Sequence, residues 1–334
     1  MNILTILQPW MFPSIVSDMT KARLKKLGAV TYRPDLAVKG TTADAYAKAL
    51  ADVRAEVVVT CWGSPKLTRE VHARAPHVRY MCHLAGTVRD YVDREVIAAG
   101  LIVTNWGDVI ARSVAEGALM MTLAGLRKAA HFQFELHTRR GWHSGKEPEG
   151  LFGRRVGLHG LGGIAQEFVK LLAPFGCRLM AYSPNCPDDV FRKLGIVRAG
   201  SLEELFAKNR VISVHASNTP ANHHIINAAV LARLEDGGLI VNTARGAVLD
   251  TAALVAELKN GRIQASLDVY EEEPLPADSH LRGLENCLLI PHMGGPTPDR
   301  RVDMGDLGVA NIDNFVHGRP VTNTVTAAKY DLIT

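Results

Sequence analysis

Val156-Gly157-Leu158-His159-Gly160-Leu161-Gly162-Gly163-Ile164-Ala165 is the stretch that decides the fold of this chain. A strand-like run meets a glycine turn and then a helix-like run. In such a turn Gly160 allows the tight bend, Gly162 lets backbone amides approach a pyrophosphate, and Ala165 lets the helix pack closely on its strand. The start of that helix offers unpaired N–H groups and a positive dipole end to phosphates. A glycine-rich strand-to-helix turn also occurs without any ligand, so the residues that follow have to carry the rest.

Downstream, Phe168, Val169, Leu172 and Phe175 fall at helical spacing, and residues 177–182 form a second strand. An acidic residue at the end of that strand would accept the adenosine ribose hydroxyls, yet this chain has Ser183 there. Losing the carboxylate removes repulsion against a 2′-phosphate. No arginine follows in Pro184-Asn185-Cys186-Pro187, however, and Asp188 and Asp189 would oppose phosphate. The reading therefore leans to NAD, with NADP possible.

Four more strands are expected at 211–215, 238–241, 263–267 and 288–290, with helices at 228–233 and 251–259 between them. Each ends in or just before a polar residue. His215, Asn242 with Arg245, Asp268 and His292 would then line the carboxyl edge of one sheet beside the phosphate turn, where open α/β sheets bind ligands.

Upstream, strands at 3–7, 29–32, 56–61, 78–84 and 101–104 alternate with helices at 19–27, 43–50, 67–74 and 93–99. That alternation implies a second parallel sheet flanked by helices. Gly86 lies in the turn after the fourth strand, a candidate substrate contact. Ser113-Val114-Ala115-Glu116 reads as a capping box opening a long helix to about Arg127. The region of Arg139-Arg140-Gly141-Trp142 is turn-rich, and a final helical run over 302–316 returns to the first domain. The elements point to an α/β fold with two parallel-sheet domains.

Composition excludes several classes. The 334 residues are 47% hydrophobic and 22% charged, and the net charge of +4 arises from 38 basic and 34 acidic residues interspersed along the chain. That leaves no nucleic-acid stripe, polybasic membrane patch or membrane-spanning run. Five scattered cysteines without a C-x-x-C pair, and an N-terminus interrupted by Gln8, Pro9 and Pro13, point to a cytoplasmic protein. The adjacent His223-His224 lack carboxylate or cysteine partners at ligand spacing, so no metal is expected.

An arginine, a carboxylate and a histidine beside a nicotinamide suit hydride transfer to or from a 2-oxo acid. Arg245 would hold the substrate carboxylate with its fork, His292 would protonate the developing alkoxide, and Glu273 would orient His292 and favour its charged form. At these residues the chain resembles the D-isomer specific 2-hydroxyacid dehydrogenases, phosphoglycerate dehydrogenases and hydroxypyruvate reductases among them. Asn242-Thr243-Ala244-Arg245-Gly246 is similar to the family's arginine segment, Asp268-Val269-Tyr270-Glu271-Glu272-Glu273-Pro274 to its glutamate segment, and Pro291-His292-Met293-Gly294-Gly295 to its histidine segment.

The resemblance implies Arg245, Glu273 and His292 as catalytic residues. It places the cofactor against Gly160, Leu161, Gly162, Gly163, Ile164, Ser183, His215, Thr219, Thr243, Ala244, Asp268 and Gly294. Thr87 and Val88, with Arg245 and His292, would hold the substrate. The resemblance also implies two doubly wound domains, a flavodoxin-like substrate domain over 1–105 with 294–334 and an inserted Rossmann cofactor domain over 106–293, with a cleft and hinge between them and a homodimer through the cofactor domain. Three departures stand out: Leu84-Ala85-Gly86-Thr87-Val88-Arg89 lacks the family's usual second glycine, Ser217 replaces a proline, and Ser183 replaces an aspartate. Glu273 disfavours the formate dehydrogenase branch, and no regulatory domain is expected after Thr334. The same fold also serves NAD(H)-sensing transcriptional corepressors, which is the alternative to an enzyme acting on 2-oxo and 2-hydroxy acids.

Overall fold

The computed structural model describes residues 1–142 and 145–332, so the last two positions of the span expected to end at 334 lie outside the described residues. Two compact units emerge, Met1–Ile110 with Thr297–Thr334, and Ala111–Pro296. The division falls a few residues beyond the expected 105/106 and 293/294, for local reasons. Trp106 N–H donates to Ala85 O at 3.2 Å and Asn105 Nδ2 to Gly86 O at 2.8 Å, tying that segment to the first unit. Met293 and Gly294 are tied by their amides to Asp268 of the second.

The first unit holds β1 (Asn2–Ile6), β2 (Ala29–Tyr32), β3 (Val57–Thr60), β4 (Tyr80–His83) and β5 (Ile102–Thr104) in the order β2-β1-β3-β4-β5. All pairs are parallel. Every residue of β3 and β4 is buried, as befits central strands covered on both faces. Leu4, Ile6, Val58, Met81 and Val103 pack with Tyr46 and Leu50 of the helix Ala43–Val53. Ser17, Thr42 and Thr68 each cap a helix by accepting the amide three residues on. Chain order reverses between β1 and β3, and this is the crevice at which sheets of this order bind ligands.

In the second unit β6 (Arg155–His159), β7 (Arg178–Tyr182), β8 (Val197–Arg198), β9 (Val211–Val214), β10 (Leu239–Asn242), β11 (Gln264–Leu267) and β12 (Cys287–Leu289) run in the order β12-β11-β10-β9-β6-β7-β8. The switch point here lies between β6 and β9, paired in parallel with Val156 opposite Val211. One face packs Val156, Leu158, Ala165 and Phe168 against Ala115, Ala118 and Met121 of the helix Ala111–Leu126. Ile212, Val214 and Ile240 pack with Val230 and Leu254 in a second cluster.

Several expectations need correction. Ser113 does not cap, because the helix has already begun at Ala111. Ile110, Ala111, Val114 and Ala115 are all buried, and that packing overrides the local capping signal. Beyond Lys128, which adopts a left-handed conformation (φ 54°), a helix Ala129–His137 stands that the sequence pattern did not announce. Helices Asp188–Leu194 and Leu202–Lys208 and the two-residue β8 were likewise not anticipated.

Candidate active site

The glycine turn closes as its residue types require. Gly160 takes φ 93°, and a Cβ there would lie 2.9 Å from the Ala216 nitrogen, so only glycine fits between the ends of β6 and β9. Gly162 caps the helix Gly163–Leu172 with nothing within 4 Å of its Cβ direction, which leaves backbone approach open. Leu161 and Ala165 are buried, whereas Gly163 and Ile164 are partly exposed. His215 follows β9, its N–H donating to His159 O at 2.8 Å. Its Nε2 lies 2.9 Å from Ser213 Oγ and its ring 5.4 Å from Phe168. Desolvation, and secondarily His159, pushes its pKa down to about 3. Thr219 closes the same loop, its N–H donating to Ser217 O at 3.1 Å.

His159, which drew no attention in the sequence, is a second neutral imidazole under this turn. Burial lowers its pKa to about 4, and its Nδ1 has no hydrogen-bond partner. A histidine at the end of an otherwise apolar strand was the one available signal.

Ser183 ends β7, beside the turn through the donation of Gly160 N–H to Tyr182 O at 2.9 Å. An arginine does serve this loop, although none lies in the segment that follows Ser183. Pairing of β7 with β8 sets Ala181 opposite Arg198. The Arg198 guanidinium donates to Ser183 O at 3.1 Å and Cys186 O at 2.5 Å, and stands 2.8 Å from Asp188 Oδ1. It also stacks 3.9 Å from the Phe191 ring centre. The charge is thereby spent on loop carbonyls and on one of the two aspartates expected to oppose phosphate.

The carboxyl edge of β10, β11 and β12 carries the remaining groups. Asn242, fully buried, frames the turn after β10 by accepting the Ala244 N–H at 3.0 Å and donating to Arg245 O at 3.0 Å. Thr243 is 8% exposed and its Oγ1 has no partner, an orphaned buried hydroxyl. Arg245 Nη1 donates to Ala244 O at 2.6 Å. Gly246 permits the next step: a Cβ there would lie 1.9 Å from the Tyr270 carbonyl carbon, so only glycine lets the arginine turn rest on the Tyr270–Glu273 segment.

Asp268, 2% exposed, accepts Met293 N–H at 2.7 Å on one oxygen and Gly294 N–H at 2.9 Å on the other. Burial raises its pKa against the pull of those amides. The result is a fixed backbone at Met293 and Gly294, with His292 held at φ 53°. Its Nδ1 lies 2.6 Å from Glu273 Oε2, while Glu273 Oε1 accepts the Tyr270 N–H at 2.9 Å. Burial opposes the ionised Glu273, yet the bonds from His292 and Tyr270 bring its pKa below the ordinary value. That carboxylate in turn raises the pKa of His292, against desolvation and the nearby positive charge of Arg245. The second unit thus brings together an arginine and a carboxylate–imidazole pair.

Thr87 and Val88 belong to the first unit, at the carboxyl edge of its sheet. Val88 is fully buried and its carbonyl accepts the amides of Tyr91 and Val92 at 2.9 and 3.0 Å. His83 supports this loop from below, with Nδ1 2.9 Å from Thr60 Oγ1 and its ring 4.3 Å from Tyr91. Rings of His223 and His224 stand 4.1 Å apart and His224 pairs with Glu271. Among the described residues no group of three or more histidines, cysteines or acids is placed to hold a metal ion.

A doubly wound sheet with a glycine turn at its switch point, and an arginine, glutamate and histidine along the same edge, defines a dinucleotide-binding protein of the dehydrogenase class. Residues 119–294 match the family described as D-isomer specific 2-hydroxyacid dehydrogenase, NAD binding domain. The chain is 34% identical to D-3-phosphoglycerate dehydrogenase of Methanocaldococcus jannaschii over 81% of its own length and 52% of that protein, so it spans about half of that relative. It is 32% identical to the glyoxylate reductase of Aeropyrum pernix, over 76% of this chain and 78% of that one. Among solved structures, the NADPH-dependent glyoxylate/hydroxypyruvate reductase of Sinorhizobium meliloti superposes with a TM-score of 0.79 at 26% identity, covering 99% of each chain. This chain belongs to the D-isomer specific 2-hydroxyacid dehydrogenase family.

Proposed function

We propose that the protein is an NAD(P)-dependent oxidoreductase that interconverts a 2-oxo acid and its D-2-hydroxy acid. The observation that carries this reading is the 2.6 Å pair of His292 and Glu273, set beside Arg245 on the same sheet edge as the glycine turn. Arg245 binds the substrate carboxylate and so fixes the orientation of the carbonyl carbon. His292 gives a proton from Nε2 to the carbonyl oxygen during reduction and takes it back during oxidation. Glu273 holds the ring through Nδ1 and stabilises the imidazolium. In the first unit, the Thr87 and Val88 segment supplies backbone amides to the substrate carboxylate.

A nicotinamide dinucleotide, when bound, supplies or accepts the hydride. The residues fit that group: Gly162 leaves backbone open at a helix start, and the Thr243 hydroxyl is buried without a partner. Gly160, Leu161, Gly162, Gly163 and Ile164 would hold the pyrophosphate, Ser183 the adenosine ribose, and His215, Thr219, Thr243, Ala244, Asp268 and Gly294 the rest of the cofactor. In this reading Met1–Ile110 with Thr297–Thr334 binds substrate and Ala111–Pro296 binds cofactor.

A cytoplasmic homodimer formed through the second unit belongs to the same proposal. All five cysteines are free, and the second unit exposes Met120, Leu136 and Trp142, the last at 85%. No helix of the described residues is long and apolar enough to cross a membrane. The test follows reduced-nicotinamide absorbance with NADH and NADPH in parallel over a panel of 2-oxo acids. Turnover that His292→Asn lowers by about 10²- to 10⁴-fold, with cofactor binding retained, is the result expected. Silence across the panel with cofactor bound would replace the enzyme with the cofactor-sensing alternative.

A further inference from the structure

Three of the four tryptophans in the chain, Trp10, Trp62 and Trp106, stand on the loops that leave the carboxyl ends of β1, β3 and β5 in the first unit. Loops after β1 and β3 flank the switch point of this sheet, where ligands of such sheets bind. The two loops touch: a Cβ on Gly63 would lie 2.2 Å from Gln8 Nε2, and Gln8 Oε1 accepts Trp10 Nε1–H at 2.5 Å. Trp62 and Trp106 meet edge to face with ring centres 5.6 Å apart. Trp106 lies directly against the loop that carries Thr87 and Val88, since a Cβ on Gly86 would come within 2.9 Å of its indole.

Neither Trp62 nor Trp106 belongs to the hydrophobic core of the unit, and both are partly exposed. Apolar rings left open beside a ligand-binding loop are the ordinary lining of a small-molecule site. Glyoxylate, a two-carbon 2-oxo acid with no side chain, would leave these faces uncovered. A phosphorylated side chain would call for a fork of cationic donors. Arg301, at the start of the helix Val302–Val316, instead lays its guanidinium over the Trp10 ring at 5.4 Å.

We propose that the substrate is a 2-oxo acid, with its 2-hydroxy counterpart, whose side chain is uncharged, apolar and several carbons long, packing against the indoles of Trp62 and Trp106. This assignment of substrate class rests on the dehydrogenase reading. The phosphorylated acid is therefore the informative competitor.

The experiment compares kcat/KM of the full chain, with NADH and NADPH, for phenylpyruvate, 4-methyl-2-oxopentanoate, glyoxylate, hydroxypyruvate and phosphohydroxypyruvate. Either of the first two should exceed the last three by about tenfold or more, the scale of discrimination by apolar pocket contacts. Trp62→Ala and the milder Trp62→Leu should each shrink that ratio, with circular dichroism and thermal melting of the full chain measured in both to show that they fold. Preference for glyoxylate, hydroxypyruvate or the phosphorylated acid, or a ratio untouched in both variants, overturns the substrate class and leaves the dehydrogenase reading standing. Silence on every acid with cofactor bound overturns both.

Discussion

Glu273→Gln tests the proton-transfer pair while keeping its shape. The 2.6 Å contact from His292 Nδ1 to Glu273 Oε2 is a charge-assisted hydrogen bond when the imidazole is protonated. Such bonds contribute about 1.5–3 kcal/mol against about 0.5–1.5 for neutral ones. His292 and Glu273 side chains are 49% and 35% exposed, so solvent screening puts the difference at the low end, about 1 kcal/mol or roughly fivefold. In the proposed reaction, reduction requires the imidazolium. Glu273 holds the pKa of His292 above its ordinary value, while desolvation and Arg245 pull it down. With the carboxylate neutralised the largest raising influences are gone and Asp268 is left to oppose burial and Arg245, so the acid form is lost at lower pH. The variant should therefore reduce substrate roughly fivefold more slowly at neutral pH, and the descending limb of its kcat/KM profile should move to lower pH. The oxidation limb, which needs neutral His292, should move the same way. Profiles of both directions, followed by nicotinamide absorbance, measure this. A limb that stays in place or moves up would refute the role of Glu273.

Three further outcomes are expected. Thr243→Val replaces an orphaned buried hydroxyl by a methyl, so the melting temperature of the cofactor-free protein should stay or rise while NADH affinity falls about tenfold; unchanged affinity by calorimetry would remove Thr243 from the cofactor site. Ser183→Asp should raise the preference for NADH over NADPH through repulsion of the 2′-phosphate, and an unchanged ratio of dissociation constants would mean the position does not face the ribose. Arg198→Leu removes the donations to Ser183 O and Cys186 O, and should weaken both cofactors by about tenfold with the kcat at saturation retained; unaltered dissociation constants would leave Arg198 a purely structural residue.

Much of this molecule is written locally. The alternation of short apolar strands with helices, the Gly160–Ala165 turn, and the polar residues closing β9 to β12 all follow from patterns a few residues long, because strand period, helix period and turn chemistry are properties of neighbours. The order of the arginine, glutamate and histidine segments is likewise a property of the chain alone. Other features needed the packed structure. Ser113 looked like a cap until burial of Ile110 and Ala111 drew the helix start past it. Arg198 serves the loop after Ser183 only because β7 and β8 pair, a contact between residues far apart in sequence. The 2.6 Å approach of Glu273 to His292 depends on Gly246 accepting the Tyr270 backbone and on Asp268 fixing the amides of Met293 and Gly294. Trp62 and Trp106 meet from the ends of two strands that the sequence separates by two helices and a third strand. Sequence determines which chemistry each segment carries, since residue type is local; tertiary structure decides which of those groups touch, since only strand pairing and core packing bring distant residues within hydrogen-bonding distance.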